Sequence, residues 1–244
     1  MKPKVLIGKE GRKFLVKDTS VDYHTQFGYV KASDLKKAKD GSTVTTNTGS
    51  SFSVFTPSFL DLYSRIKRDA QIIPLKDIGS IIAYTGLGKD SVVLDAGAGS
   101  GGLSCFLAHL VKRMITYEIR DDFMSIVAHN KELLKLKNLI IKQKNVYEGI
   151  DEKNVDVIIL DLPEPWKALD SCAAALKHGG FLVAYSPTIP QISDFVEAVR
   201  VREQFAYLQT IEVIERQWEF LQRKIRPKSQ AIGHSGFLCF VRRI

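Results

Sequence analysis

A chain of 244 residues with 45% hydrophobic, 25% charged and 9% aromatic side chains has the make-up of a globular protein, long enough to bury a sizeable core. No apolar run approaches the ~20 residues that cross a bilayer, and the opening MKPKVLIGKEGRKF lacks the apolar stretch and cleavage site of a secretory signal, so a cytoplasmic address without membrane contact is expected. The net charge of +8 is unevenly spread: residues 1–76 carry 14 basic and 7 acidic side chains, residues 77–215 carry 14 and 19, and residues 216–244 carry 7 and 1. Basic ends around an acidic centre suit a polyanion held by its phosphates at the flanks, although solvated lysines on scattered faces give the same totals.

Residues 1–56 alternate in short runs (KVLIG, KFLVK, FGYVK, SFSVF) punctuated by Gly and Asp, which predicts a small β-rich module. Thr56-Pro57-Ser58 ends it, and FLDLYSRIKR predicts a connecting helix over 59–68 within a linker spanning 57–76. From residue 77 to 244 strand and helix signals alternate. Helices are predicted at 77–86, 101–111, 121–136, 166–177 and 190–204, and strands at 91–96, 114–118, 139–144, 155–160, 180–185, near 207–216 and at 236–243. Repeated β-α units of this kind predict a doubly wound α/β sheet, parallel with helices on both faces. IRPKSQAIGHSG is too short and turn-rich for a crossover helix, so the last strand is expected to return antiparallel. Cys105, Cys172 and Cys239 lie far apart with no C-x-x-C, a spacing that offers no metal site and reads as buried free thiols.

VVLDAGAGSGG, residues 92–102, carries Gly97, Gly99 and Gly102 in the G-x-G-x-x-G spacing that dinucleotide folds also use. Charge separates the two ligands. A pyrophosphate at a helix N-terminus wants bare amides, whereas Asp95 stands two residues before the first loop glycine and would repel it. A carboxylate there attracts an ammonium or sulfonium, which favours S-adenosylmethionine over a nicotinamide dinucleotide. Gly97, Gly99, Ser100, Gly101, Gly102 and Leu103 are then the loop residues expected to bind the cofactor. Glu118 closes the next strand, 23 residues on, where an acid can hold ribose hydroxyls. Asn145 and Val146, after the third strand, are placed to meet the adenine.

VDVIILDLPEPW ends its strand in Asp161, which faces the same crevice and is stiffened by Pro163 and Pro165. An N-cap for the following helix is the competing reading, but Asp161 stands about four residues too early. Beside an activated methyl group, such a carboxylate can take a hydrogen bond from an exocyclic amine, stabilise a ring that turns cationic and accept a proton. Trp166 and Tyr185 are candidates for stacking on an extruded base or for plain core. His234 either touches substrate or satisfies a loop carbonyl. Lys67, Arg68, Arg226 and Lys228 are candidate phosphate contacts, with the solvated surface as the alternative.

Several segments resemble the tRNA (adenine-N1)-methyltransferases that act on the T-loop, a family with archaeal and bacterial homotetramers. They are QIIPLKDIGSII (71–82), VLDAGAGSGGLS, YEIRDDF (117–123), KNVYEGI (144–150), LDLPEPWKAL (160–169), AYSPTIPQ (184–191) and RPKSQAIGHSGF (226–237). The resemblance implies a class I methyltransferase fold with a small N-terminal β domain for RNA binding or assembly, and S-adenosylmethionine as cofactor, with the stretch 99–103 wrapped around its methionine end. It further implies tRNA as partner, N1 of adenine 58 (with 57 as a second target) as acceptor, and Asp161 as the catalytic aspartate that also borders the cofactor. The family more often has glutamate at Asp95 and aspartate at Asn145; Ile73 and the inserted Leu75 depart from its pattern, so no base-stacking role carries over to Ile73. Thr188 stands where some archaeal members have cysteine, so their intersubunit disulfide is not expected. A class I methyltransferase for another RNA, a protein or a small molecule, and a non-catalytic RNA-binding subunit on the same scaffold, are the alternatives; the second would be expected to have lost the glycine loop and the aspartate.

Overall fold

The computed structural model describes residues 2–221, 223–230 and 232–244; Met1, Gln222 and Ala231, the last of these within the predicted turn segment, lie outside the described residues. The chain forms two compact units that part between Ile66 and Lys67. The first holds β1 (Lys4–Ile7), β2 (Lys13–Val16), β3 (Tyr23–Thr25), β4 (Gly28–Val30), α1 (Ala32–Lys37), β5 (Thr43–Thr45), β6 (Ser51–Phe55) and α2 (Phe59–Tyr63). Strands β2-β1-β6-β5 make an antiparallel sheet and β3-β4 a separate hairpin. Leu6, Val16, Leu35, Phe52 and Val54 are its buried centre. Helix α2 is five residues long, where 59–68 was predicted helical. Ser58 and Asp61 start it with reciprocal capping bonds. Farther along, the backbone at 67–70 is bonded to side chains from elsewhere in the fold, described below.

The second unit runs α3 (Leu75–Thr85), β7 (Val92–Ala96), α4 (Gly102–Ala108), β8 (Arg113–Glu118), α5 (Asp121–Leu134), β9 (Leu139–Gln143), β10 (Val155–Asp161), α6 (Leu169–Ala175), β11 (Leu176–Ser186), α7 (Ile189–Arg200), β12 (Phe205–Glu212), β13 (Trp218–Leu221), β14 (Lys224–Pro227) and β15 (Phe237–Arg243). Seven strands form one sheet in the order β12-β15-β11-β10-β7-β8-β9. Neighbours from β11 to β9 are parallel, while β15 pairs antiparallel with both β11 and β12, as the turn-rich segment before it predicted. The period of two along each strand sorts side chains between faces. Leu94, Ile115, Ile158, Leu182 and Val241 meet Leu169 and Cys172 of α6 and Phe195 of α7. On the other face Tyr84 of α3 packs on Phe240 at 5.1 Å between ring centres.

Helices α4 and α7 end three and four residues earlier than predicted, and two further elements differ. The helix expected over 166–177 begins as a 3₁₀ turn at Pro165–Ala168 and ends at Ala175, because β11 starts at Leu176. Gly179, at φ 77°, lies near the start of that strand. The strand expected over 207–216 stops at Glu212, and residues 218–227 form the unforeseen hairpin β13-β14. All three cysteines are buried free thiols, and burial pushes Cys105 up to about 12 and Cys239 to about 11. No helix among the described residues is long and apolar enough to cross a membrane.

Candidate active site

The parallel strands β7, β8 and β10 end side by side, so Asp95, Glu118 and Asp161 arrive at one edge of the sheet. The loop leaving β7 folds back on that edge: the amides of Gly97 and Ala98 both donate to the Tyr117 carbonyl, at 3.1 and 3.2 Å. Gly97 has φ 91° and passes so close to the backbone of Asp161 that a β-carbon would overlap its carbonyl oxygen. Only glycine fits there on both counts. At Gly102 the constraint is packing, since a β-carbon would lie 2.7 Å from Ile72 Cβ.

Glu118 is locked. Its Oε2 accepts the Gly99 amide at 2.9 Å, and its Oε1 accepts those of Ile119 and Arg120 at 2.9 and 3.0 Å. Those bonds take three of the roughly four acceptor positions of a carboxylate and fix its pose on the cavity wall. A cavity of about 470 Å³ opens in front of it, lined among others by Gln71, Gly97, Gly99, Asn145, Val146 and Asp161. A narrow recess continues inward past Gln71 and Gly97 to Asp95, Gly102 and Leu103. The main cavity has the size of a small-molecule site.

Asp95 is 1% exposed, and among the described residues its side-chain partner is the Thr116 hydroxyl, which donates at 3.1 Å. Burial first, and then the negative charge of Asp161, push its carboxyl up to about 7. Burial also raises Asp161 to about 6. The negative charge of Asp161 bears on Asp95, and neither carboxylate has an ion pair to a basic side chain among the described contacts. Ionised, such a recess has the charge to receive a cation.

The other predicted residues are placed as follows. Asn145 lines the cavity while its Oδ1 accepts the Tyr147 amide at 3.0 Å and its Nδ2 donates to Glu148, capping a 3₁₀ turn in which Val146 is buried. Ser100 and Gly101 lie behind the loop. The Ser100 hydroxyl accepts the amides of Asp69 and Ala70, and Gly101 faces Val127. Trp166 is half-buried against the core and is absent from the cavity lining.

Tyr185 pairs with Asp161 across β10-β11, but its hydroxyl donates to the Ser235 carbonyl at 2.6 Å and its ring lies against Gly236. Burial pushes its phenol up to about 12. His234 is exposed and joins Glu212 Oε1 at 2.6 Å to the Pro187 carbonyl at 2.8 Å. Both partners are acceptors, so both ring nitrogens must carry protons, and the Glu212 contact raises its pKa. Lys67 stands 3.5 Å from Asp69, Arg226 Nε lies 3.3 Å from Glu219, Lys228 donates to Gln217, and Arg68 is exposed.

Sequence reasoning passed over three features. Phe123 lines the cavity with the Arg120 guanidinium 4.2 Å above its ring. Lys76 donates to both oxygens of buried Asp77 and to the Ser235 hydroxyl, a knot joining residues 158 positions apart. Asn130 sits unexposed in the middle of α5, and an asparagine inside a helix, a poor place for it, was the available signal.

Residues 55–235 match the family described as tRNA methyltransferase complex GCD14 subunit. The tRNA (adenine(57)-N(1)/adenine(58)-N(1))-methyltransferase TrmI of Methanocaldococcus jannaschii is 33% identical over an alignment covering 98% of this chain and 94% of that protein. The tRNA (adenine(58)-N(1))-methyltransferase TrmI of Thermus thermophilus is 34% identical, covering 99% and 96%. Among solved structures, a SAM-dependent O-methyltransferase from Thermotoga maritima superimposes with a TM-score of 0.89 at 26% identity, over 100% of this chain and 93% of that one.

Proposed function

The chain belongs to the tRNA methyltransferase family of the GCD14 subunit, and on that premise we propose that it transfers a methyl group from S-adenosylmethionine to N1 of an adenine in the tRNA T-loop, position 58 with 57 as a second target. The observation that carries this reading is the anionic recess at Asp95 and Asp161 beside a glycine loop. When bound, the cofactor supplies an electrophilic methyl on sulfonium, which the N1 lone pair takes while the sulfur–carbon pair returns to sulfur. Asp95 faces the cationic methionine end, Glu118 takes ribose through its remaining acceptor position, and Asn145 and Val146 border the adenine. Asp161 accepts a hydrogen bond from the exocyclic amine of the target base, stabilises the charge that grows on its ring and takes up the surplus proton. Lys67, Arg68, Arg226 and Lys228 hold phosphates, and recognition runs through the shape of the tRNA elbow. The target base leaves its stack to reach Asp161. Tyr185, tethered next to Asp161 on the neighbouring strand, and Trp166, four residues after the Leu162 that follows Asp161, flank the segment that presents the base, and His234 holds the neighbouring loop. A tRNA substrate supports a cytoplasmic address.

The test is incubation of the purified protein with labelled cofactor and unmodified tRNA, followed by digestion and nucleoside identification. The expected product is 1-methyladenosine. Label on a ribose or other oxygen would favour the chemistry named for the Thermotoga protein, and no transfer to tRNA would remove the proposal.

Proton linkage gives an independent check. With its pKa raised, Asp95 binds a proton more tightly folded than unfolded. The cofactor-free protein therefore loses stability as pH rises from about 4 through about 7. A cationic ligand reverses the preference, because it favours the ionised carboxylates. Cofactor affinity should rise as pH climbs through about 6 to 7, by up to ~10-fold per pH unit for each proton released. Calorimetry from pH 5.5 to 8 reads it directly, and a flat profile would count against a cation receptor.

Self-association completes the reading. On one face of the β13-β14 hairpin, Trp218 (51% exposed), Phe220 (74%) and Ile225 (60%) stand together, since Phe220 pairs with Ile225 and Trp218 with Pro227. Contiguous exposed apolar surface of this kind marks an association site. We assign it to contacts between copies in a homotetramer. Phe220→Glu should give a smaller species in analytical ultracentrifugation, and an unchanged sedimentation coefficient would move assembly elsewhere.

A further inference from the structure

Residues 67–70 belong to neither helix nor strand, yet buried side chains bind four of their backbone polar groups, the amides of Lys67, Asp69 and Ala70 and the carbonyl of Lys67. Asn130 Oδ1 accepts the Lys67 amide at 2.7 Å, and its Nδ2 donates to the Lys67 carbonyl and to the Ser100 carbonyl, each at 2.9 Å. Ser100 Oγ accepts the amides of Asp69 and Ala70, both at 3.0 Å. Four bonds thus hold a segment without secondary structure, two to Asn130 and two to Ser100, and a fifth from Asn130 to the Ser100 carbonyl ties both anchors together at the back of the glycine loop. Contact is tight along its course: Ile72 fills the space over Gly102, and Ala70 Cβ would lie 3.8 Å from a β-carbon on Gly99. From there the strap turns inward, and Ala70 and Gln71 become walls of the cavity that holds Glu118 and Asp161.

Helix α5 has no need of an asparagine at this place. Ile126, Val127 and Leu134 supply its buried apolar face, and a polar residue fully removed from water is retained only with all its bonds made. Asn130 spends its acceptor and both donors on the strap and the loop. We propose that Asn130, acting with Ser100, is a positioning residue that holds residues 67–71 as one wall of the cofactor cavity and thereby sets cofactor affinity and residence time. The inference rests on the reading that S-adenosylmethionine binds at the glycine loop, and the experiment separates the two.

Full-length wild-type, Asn130→Ala and Ser100→Ala proteins are titrated by calorimetry with S-adenosylhomocysteine, well below their melting temperatures. Asn130→Ala should bind about ten-fold more weakly and release the ligand faster in stopped flow, with kcat at saturating cofactor within about two-fold of wild type. Ser100→Ala should shift affinity in the same direction by less, and the double variant by less than the two effects combined, because both act on one strap. In the cofactor-free protein, trypsin should cut faster after Lys67 or Arg68 once Asn130 is replaced. A lowered melting temperature with unchanged affinity and unchanged proteolysis would make Asn130 a merely structural residue and overturn the proposal. If Asn130→Ala fails to fold, Ser100→Ala decides alone, and unchanged affinity there is equally fatal. Absence of binding to the wild-type protein would instead remove the cofactor reading.

Discussion

Asp161→Asn is expected to reduce methyl transfer to tRNA by 10²-fold or more while cofactor affinity stays within a few-fold of wild type. The amide nearly matches the carboxylate in shape, so the end of β10, its pairing with Tyr185 and the contact with Gly97 persist. What disappears is the charge that steadies a cationic ring, an effect worth on the order of 3 kcal/mol in the barrier. The substitution also removes a neighbour that pushes Asp95 up. The cofactor-free variant should therefore release its remaining recess proton at lower pH, and the affinity profile should shift to acid by calorimetry. Single-turnover rates on tRNA provide the main readout; turnover within two-fold of wild type would strip Asp161 of its catalytic role.

Gly97→Ala is expected to abolish cofactor binding and destabilise the protein by about 3–5 kcal/mol, at the severe end for a single substitution. Two costs coincide. A φ of 91° is outside what an alanine tolerates, and the new methyl would overlap the Asp161 carbonyl, with its carbon at 3.0 Å and Leu162 Cδ2 at 3.3 Å. Relief means moving either the glycine loop or the strand end that carries the aspartate, and both are the site. Gly86 is the control: it caps α3 at φ 64° with nothing within 4 Å of an added β-carbon. Gly86→Ala should cost only about 1 kcal/mol and leave cofactor binding intact. Equal losses in thermal melts of the two variants would show that close approach to Asp161 plays no part.

The β-module, the α/β order and the three carboxylates at strand ends were all readable in the chain, because each is encoded within a few neighbouring residues. VVLD before a glycine turn puts Asp95 at a strand end whatever surrounds it, and the same holds for Glu118 and Asp161. Even the antiparallel return of β15 followed from a segment too short to cross over. Side-chain periodicity and turn chemistry are local, so they survive translation into structure.

The choice of hydrogen-bond partner by buried polar groups is not local, and there the sequence was silent or ambiguous. Tyr185 at a strand end read as a base platform or as core, and nothing local in the sequence pointed to the bond its hydroxyl makes to the Ser235 carbonyl, 50 residues away. His234 was open between substrate and scaffold, and its contacts with Glu212 and the Pro187 carbonyl were equally invisible in the sequence. Asn130 and Ser100 acquired their strap, and Lys76 and Asp77 their serine, only when the fold brought distant backbone alongside. By itself the sequence determined the run of strands in the seven-stranded sheet and which acids stand at their ends, since those depend on spacing along the chain, while the hairpin β13-β14 went unread. Tertiary structure alone decided which polar groups are sealed from water together, and a buried group is bound by whatever the fold sets beside it.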